Sequence, residues 1–186
     1  MVGDEQSNRR VTPQAIHWQR ITDRHEATLL ETFSCTIDRP RTPQGRKLPH
    51  PKPWEREVQS HFRQCSKRLR AGDLLMVGRH TADEQIVAAA HLMLDQKSPS
   101  PFTAHIAAIG ICTTVCGQGG KVADSTLVEV CSTVVDRARG SGIDIAVATA
   151  NIHVRNLSSQ SLFERNGFEP VSVPSGDYQQ WICRLL

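Results

Sequence analysis

Alternating apolar and polar side chains mark the first predicted strand, residues 15–22, in which Ile16 and Trp18 share one side. After Asp23, a residue type that suits a helix N-cap, the apolar positions change to helical spacing as far as about Phe33. The pattern therefore predicts a strand followed by a helix.

The segment after this helix is rich in proline. Residues 38–53 contain five prolines and one glycine, so they can form neither a regular helix nor an inner strand. We expect a long surface loop, and loops of this length are often functional or disordered. Pro53 then suits a helix start, and apolar residues at helical spacing predict a helix to about Arg70, ended by Gly72.

The middle of the chain reads as extended structure. Two apolar segments, 73–80 and 85–94, are separated by a polar turn and predict an antiparallel hairpin. Residues 102–115 are rich in β-branched side chains and predict a third strand. That strand leads directly into a turn with three glycines.

After the glycines, the apolar positions predict further helices and strands. In order they are a helix at 122–139, a strand at 143–150, a helix at 156–165 and a strand at 178–186. A hairpin-linked half joined to a strand-helix-strand half predicts an α/β (α+β) fold. We expect a mixed, mostly antiparallel sheet of six or seven strands flanked by about four helices.

Composition narrows the class of protein. A hydrophobic content of 39% with 22% charged residues is ordinary for a globular domain, and no apolar run approaches the length of a bilayer span. Residues 1–10 are polar and lack the apolar core of a secretory signal, so we expect a flexible tail and a cytoplasmic protein. Residues 11–186 are expected to form one domain.

The six cysteines carry no recognisable metal pattern, because the chain has no CxxC pair and no His/Cys cluster at zinc-finger spacing. Cys112 and Cys116 lie four residues apart, but a metal site needs two further ligands that the sequence does not place nearby. We expect reduced, mostly buried thiols and no metal.

Charge is concentrated in one segment. Residues 39–70 carry ten basic residues against Glu55 and Glu57, although the net charge of the whole chain is only +3. This asymmetry suggests an anionic partner for one face, while a solvated basic helix and loop are the commoner origin of such a run.

The glycine turn is the first candidate for chemistry. A strand that ends in such a turn and feeds a helix presents free backbone N–H groups and the positive end of the helix dipole, which together suit phosphate. For the glycines alone, a tight turn is the commoner explanation. Val122 stands where a P-loop needs Ser or Thr and where GxGxxG needs its last glycine, so neither nucleotide fingerprint fits.

One family does fit the stretch as a whole. The segment IGICTTVCGQGGKV at 109–122, followed by a helix, a strand and then NLSSQSLFERNGF at 156–168, resembles the GNAT superfamily of acetyl-CoA-dependent N-acetyltransferases. In that family a strand leads into R-G-x-G-x-G/A, and a later helix carries N-x6-Y-x3-G-F. The matching residues are Ile109, Gly110, Ile111, Gly117, Gly119, Asn156, Gly167 and Phe168, with Phe163 at the tyrosine position. The resemblance covers residues 73–186, and residues 11–72 match only in the order of elements.

This resemblance implies transfer of an acetyl group from acetyl-CoA to a primary amine of a small molecule or peptide by direct attack. The strand edge at Ile111, Cys112 and Thr113 would pair with the pantetheine arm. The pyrophosphate would be held by the backbone amides of Cys116, Gly117, Gln118, Gly119, Gly120 and Lys121. Asn156 would hydrogen-bond to the pantetheine or the thioester end, and Phe163 would line the same site.

Three positions depart from the family pattern. Cys116 replaces the usual Arg or Gln at the head of the loop, and Lys121 replaces a small residue. Phe163 stands where many members have a tyrosine that protonates the leaving thiolate, and a phenyl ring has no proton to give.

A base must deprotonate the attacking amine, and the strand at 102–115 contains no Asp or Glu. His105 is the predicted catalytic base, because strand alternation places it on one face with Ala107, Ile109 and Ile111. A histidine that only packs or hydrogen-bonds within the sheet explains the residue equally well. His91 and His153 are the second and third candidates.

The acceptor is left open among three alternatives. The first is a small-molecule or peptide amine, and the second is aminoacyl-tRNA, on which one toxin branch of the family acts and which suits the basic segment 39–70. The third is a catalytically silent acetyl-CoA-binding module. We expect no membrane partner, and a homodimer stays open.

Overall fold

The computed structural model describes residues 15–95, 101–116, 120–171 and 173–186. The tail expected at residues 1–10 lies outside these ranges. The strands are β1 (Ile16–Ile21), β2 (Asp73–His80), β3 (Ile86–Asp95), β4 (Phe102–Ile111), β5 (Ala146–His153), β6 (Glu169–Pro170) and β7 (Tyr178–Arg184). The helices are a 3-10 helix (Glu26–Glu31), α1 (Pro53–Arg63), α2 (Cys65–Arg68), α3 (Lys121–Gly140) and α4 (Leu157–Arg165).

All seven strands belong to one sheet, in the order β1-β2-β3-β4-β5-β7-β6. Each neighbouring pair is antiparallel except β4 and β5, which run parallel and are connected through α3. The predicted mixed, mostly antiparallel sheet with flanking helices is therefore confirmed. The two-residue strand β6 was not predicted, because it is too short to leave a periodic pattern.

Helices cover both faces of this sheet. Alternate residues of β2 show the division: Leu74 and Met76 join the apolar cluster under α3 and α4, whereas Leu75 and Val77 join the cluster under α1, α2 and the 3-10 helix. We name these sides the α3 face and the α1 face. Because both faces are buried, the central strands are apolar on both sides.

Several predicted boundaries are wrong. The helix predicted as far as Phe33 is only the 3-10 helix Glu26–Glu31. The strand predicted at 102–115 ends at Ile111, because the chain then turns and the Val115 and Cys116 N–H groups donate to the Cys112 carbonyl.

The helix predicted from Pro53 to Arg70 is interrupted at Gln64, so α1 and α2 are separate. The strand predicted at 143–150 starts only at Ala146, because the Ile143 N–H donates to the Ala138 carbonyl across Gly142 (φ 69°) and so closes the end of α3.

A bulge in β4 changes which residues share a face. His91 and Leu92 of β3 pair with Ala108 and Ile106, so Ala107 is an extra residue in β4. Ile106 and Ile109 consequently both pack on the α3 face, whereas Ala108 joins the core of the α1 face. His105 precedes Ile106 and lies on the α1 face, so the predicted common face of His105 with Ile109 is wrong.

Helix α1 packs against β4 at Gly110, and this contact generates a test. A Cβ at Gly110 would lie 2.8 Å from Cε2 of Phe62 and 3.1 Å from Cys35. We expect Gly110→Ala to lower the free energy of unfolding by about 1–3 kcal/mol, the usual cost of overpacking. The control Gly140→Ala meets no atom within 4 Å and should be neutral or slightly stabilising. Urea denaturation of both variants measures this, and equal stability would contradict the close packing.

Candidate active site

The sheet opens between β4 and β5. These strands pair only from Phe102 and Ala146 to Ile106 and Ala150, although each continues to pair with its other neighbour. A cleft of about 1200 Å³ lies at this opening and is lined by residues 106–111 and 150–153. The backbone groups that face the opening have no neighbouring strand, as at a sheet edge.

The Cys112 N–H shows which backbone groups of β4 face the opening. It donates to the Val87 carbonyl at 2.8 Å, on the β3 side. Since N–H groups alternate between the two edges of a strand, those of Ile109 and Ile111 point towards β5 and into the cleft.

One end of the cleft lies at the start of α3, where it is lined by Gly120, Ala123 and Asp124. Gly120 is the N-cap with φ 75°, a conformation that favours glycine. The first bond within the helix runs from the Asp124 N–H to the Gly120 carbonyl at 2.9 Å. The three preceding N–H groups therefore have no intrahelical acceptor and carry the positive end of the dipole.

Arg165 adds a guanidinium at the same place. Its Nε and Nη2 donate to the two carboxylate oxygens of Asp124 at 2.6 and 3.0 Å, and Asn166 Nδ2 donates at 3.1 Å. The Arg165 hydrogen bond lowers the pKa of Asp124 below its usual value. Sequence reasoning missed Arg165, although it stands two residues after Phe163 in the quoted motif.

Another wall of the cleft is formed by α1, and it carries carboxylates and aromatic rings. Glu55 and Glu57 line it, and the Tyr178 hydroxyl donates to the Glu57 carboxylate. The His153 ring lies 4.6 Å from Trp54 and 5.3 Å from Tyr178, centroid to centroid. Burial, followed by Glu57, raises the pKa of Tyr178 to about 12, so the phenol stays protonated.

The histidines are distributed unequally around the cleft. His61 lines it, and so does His153, which is the last residue of β5. His91 does not line the cleft but contacts His61. His105, the predicted base, is absent from the described lining and has its Nδ1 3.0 Å from the Thr149 hydroxyl. Its catalytic role stays a prediction, while its geometry is that of a histidine bonded within the sheet.

The predicted coenzyme residues fall into three groups. Those that line the cleft are Ile111, Cys116, Gly120, Asn156 and Phe163. The Cys112 and Thr113 N–H groups already donate to Val87 and Ser34, so these two amides are not available to pair with pantetheine, and Lys121 is exposed at the start of α3 outside the lining. Gly117, Gln118 and Gly119 lie outside the described residues.

Asn156 and Phe163 also have structural roles. Asn156 caps α4, because its Oδ1 accepts from the Ser159 N–H at 3.2 Å and its Nδ2 donates to the Ser159 hydroxyl at 2.8 Å. The Phe163 ring packs edge-on against Phe168, with centroids 4.8 Å apart. Phe163 therefore supplies an apolar wall in the position where the family motif has a hydroxyl.

Comparison with solved structures agrees with this architecture. PaiA N-acetyltransferase from Thermoplasma acidophilum, in complex with coenzyme A, matches at 13% identity and TM-score 0.55, over 90% of this chain and 99% of that one. A variant of the spermidine N-acetyltransferase SpeG from Vibrio cholerae matches at 12% and 0.57, over 92% and 95%. The N-acetyltransferase PseH from Campylobacter jejuni matches at 11% and 0.54, over 91% and 98%.

These likenesses, at low identity, show the fold, and the chain has the fold of GNAT acetyltransferases. The sequence itself matches no protein-family model and no curated protein. Within the described residues, none of the helices has the length and apolar character needed to cross a bilayer.

The buried histidines generate a pH-dependent prediction. Burial is the first cause that lowers the pKa of His91 and His105, and it lowers that of His61 from 6.5 to about 4. Between pH 6.5 and about pH 4, the unfolded chain binds more protons at His61 than the folded chain does. The free energy of unfolding therefore decreases as the pH is lowered through this interval.

We expect the urea concentration at the unfolding midpoint to decrease as the pH is lowered from about 7.5 to about 5. The decrease should be smaller in His61→Gln, and in the exposed-site control His25→Gln it should equal that of the parent protein. An equal pH dependence in His61→Gln and the parent protein would contradict the lowered pKa of His61.

Proposed function

We propose that this chain is an acetyl-CoA-dependent N-acetyltransferase that acts on a primary amine of a small molecule or peptide. The observation that carries the proposal is the cleft between β4 and β5, which joins the start of α3 to the carboxylates of α1. The neighbours in fold support it, since they are N-acetyltransferases and one is a complex with coenzyme A.

The coenzyme fits the α3 end and the strand edge. The backbone of Ile109 and Ile111 offers hydrogen bonds to an extended amide-containing arm, as a neighbouring strand would. The free amides at the start of α3 and the Arg165 guanidinium offer donors to a pyrophosphate. Gly120 leaves that approach clear, because a Cβ there would lie 3.2 Å from Arg165 Nη2. Bound acetyl-CoA supplies the activated acetyl group.

The acceptor fits the α1 side. A primary amine is a cation at neutral pH, and the carboxylate of Glu57 favours a cation there, whereas Glu55 is already paired with Lys52 Nζ at 2.7 Å. The amine must lose a proton before its nitrogen can attack the thioester carbon. A group that holds this proton is therefore required between the carboxylates and the opening of the sheet.

Aminoacyl-tRNA is a second candidate acceptor, favoured by one observation. Helices α1 and α2 and the turn after α2 expose basic side chains that suit a phosphate backbone, and α1 also lines the cleft. They are Arg56, Arg63, Lys67, Arg68 and Arg70. The α-amino group of an aminoacyl ester is a primary amine, so both candidates use the same chemistry.

Two features bear on the cellular setting. All six cysteines are free thiols, which supports a reducing compartment such as the cytoplasm. Both apolar clusters pack on one sheet, which supports a single domain for residues 11–186.

Acetyl-CoA binding and turnover test the function directly. We expect calorimetric titration to show one acetyl-CoA bound per chain. We also expect release of free thiol above the uncatalysed rate with at least one member of a panel of diamines, peptides with free N-termini and aminoacyl-tRNA. Turnover of the tRNA alone, abolished by high salt, would select the second acceptor. Binding without thiol release would identify a silent module, and no binding would contradict the proposal.

Arg165 gives a sharper test of the coenzyme site. We expect Arg165→Gln to raise the Kd for acetyl-CoA by about 10-fold or more, because it removes a charged donor and leaves the negative charge of Asp124 without its guanidinium partner beside the phosphates. The control Arg137→Gln removes an exposed arginine from the opposite end of α3 and should leave the Kd unchanged. Equal affinity of both variants would place the pyrophosphate elsewhere.

A further inference from the structure

Three side chains lie in a row from the core to the cleft. The carboxylate of Asp73, at the start of β2, has its Oδ2 3.4 Å from Nε2 of His91 on β3. The Nδ1 of His91 is 2.7 Å from Nε2 of His61 on α1. Asp73 and His91 are only 7% and 5% exposed, whereas His61 reaches the lining of the cleft.

Burial fixes where the protons lie along this row. His91 Nε2 is buried and has no close hydrogen-bond partner in the described part of the chain, so the carboxylate at 3.4 Å is the only group that can stabilise a proton there. A bare nitrogen at that position would instead face a negative charge. The proton therefore resides on Nε2, and His91 Nδ1 is an acceptor.

His61 must then donate to His91 through its own Nε2–H. A neutral imidazole carries one proton, so Nδ1 of His61 is left with a free lone pair. This nitrogen has no hydrogen-bond partner among the described residues. The two nitrogens of an imidazole point in different directions, so Nδ1 is not the nitrogen directed at His91, and the His61 side chain lines the cleft.

The charged and titratable groups around His61 come from every neighbouring element. Asp73 on β2, His91 on β3 and Arg68 on α2 act on His61 directly, and Cys65 on α2 lies within 4.8 Å. His105 on β4 interacts with His91, and Glu57 on α1 and Tyr178 on β7 line the same cleft as His61. Burial, then His91, then Arg68 lower the pKa of His61 to about 4, and Asp73 opposes them. His61 is therefore neutral at physiological pH, with its lone pair available, and Asp73 is the group that favours proton uptake.

We propose that His61 is the catalytic base of acetyl transfer, and that His91 and Asp73 are positioning residues that fix its tautomer. This inference rests on the proposed function. The proton shed by the amine passes to Nδ1 of His61, and the nitrogen lone pair forms the C–N bond to the acetyl carbon. The C–S bond breaks, and its electron pair leaves with the sulfur. The nitrogen then loses its second proton, which passes through water to the thiolate, so that the products are the amide and the free thiol.

A metal ion is the alternative to a proton at this cluster, since the donor atoms of His61, Cys65 and His91 lie within 4.8 Å of one another. The contact of 2.7 Å between the ring nitrogens is a hydrogen-bond distance. Two nitrogens bound to one tetrahedral zinc stand about 3.3 Å apart. The geometry thus favours a proton between the rings, and metal content becomes an outcome of the test.

The test compares the variants His61→Gln, His91→Gln and Asp73→Asn with the exposed-site control His25→Gln. We expect His61→Gln to lower kcat by about 10²-fold or more, the usual contribution of a positioned base, with the acetyl-CoA Kd unchanged. Asp73→Asn and His91→Gln should lower kcat by a smaller factor, and His25→Gln should not change it.

Nitrogen-15 NMR of the histidine rings supplies a readout that folding alone does not move. We expect His61 and His91 to be protonated at Nε2 and bare at Nδ1 in the parent protein, and Asp73→Asn to remove this preference. The NMR measurement also remains informative for a variant that binds acetyl-CoA weakly, because it needs no bound coenzyme.

Several results would overturn the inference. Unchanged turnover in His61→Gln, or a proton on Nδ1 of His61, would contradict it while leaving the acetyltransferase function intact. One zinc per chain in the purified protein, lost in His91→Gln, would assign the cluster to a metal. A parent chain that binds acetyl-CoA but releases no thiol would overturn the function and the catalytic role together.

Discussion

The separation of two parallel strands is the constraint on which the rest of the structure depends. β4 and β5 share hydrogen bonds only as far as Ile106 and Ala150, and beyond that point each is held by its outer neighbour alone. The backbone groups exposed between them need a partner. The bulge at Ala107 lies at the same point, where it shifts the register of β4 and turns its side chains.

The opening connects two electrostatically different surroundings. At the α3 end, the first-turn amides of a 20-residue helix and the Arg165 guanidinium favour an anion. On the α1 side, the Glu57 carboxylate favours a cation, Glu55 is paired with Lys52, and neutral His61 lines the same cleft. In the proposed reaction, the phosphate-bearing donor is held at the start of α3 and the amine acceptor beside α1, and the two meet where the strands part.

Sequence periodicity was sufficient for most of the fold and for part of the site. Apolar alternation located the central strands, and the glycine turn with the later NLSSQSLFERNGF segment identified the cleft wall that includes Asn156 and Phe163. It could not foresee the extra residue in β4, because a bulge depends on pairing with β3 and leaves the alternation of buried and half-buried residues along β4 intact. The predicted face of His105 failed for that reason.

The row of three side chains was also beyond sequence reasoning. Asp73, His91 and His61 are separated by 12 to 30 positions and come together only when α1 packs over β2 and β3. The sequence indicates His91 only as a single candidate base. Its partner His61 lies on a helix whose basic residues predict a role for the exposed side, not for the side that packs on the sheet. Arg165 was missed similarly, because its partner Asp124 lies on another helix.

Amide hydrogen exchange in the presence of acetyl-CoA tests the central claim most directly. If the coenzyme occupies the opening, the Ile109 and Ile111 amides and those at the start of α3 should exchange more slowly, while β1 and β2 remain unchanged. Bound acetyl-CoA with unaltered exchange at Ile109 and Ile111 would contradict the account, because the edge of β4 would then have no part in binding.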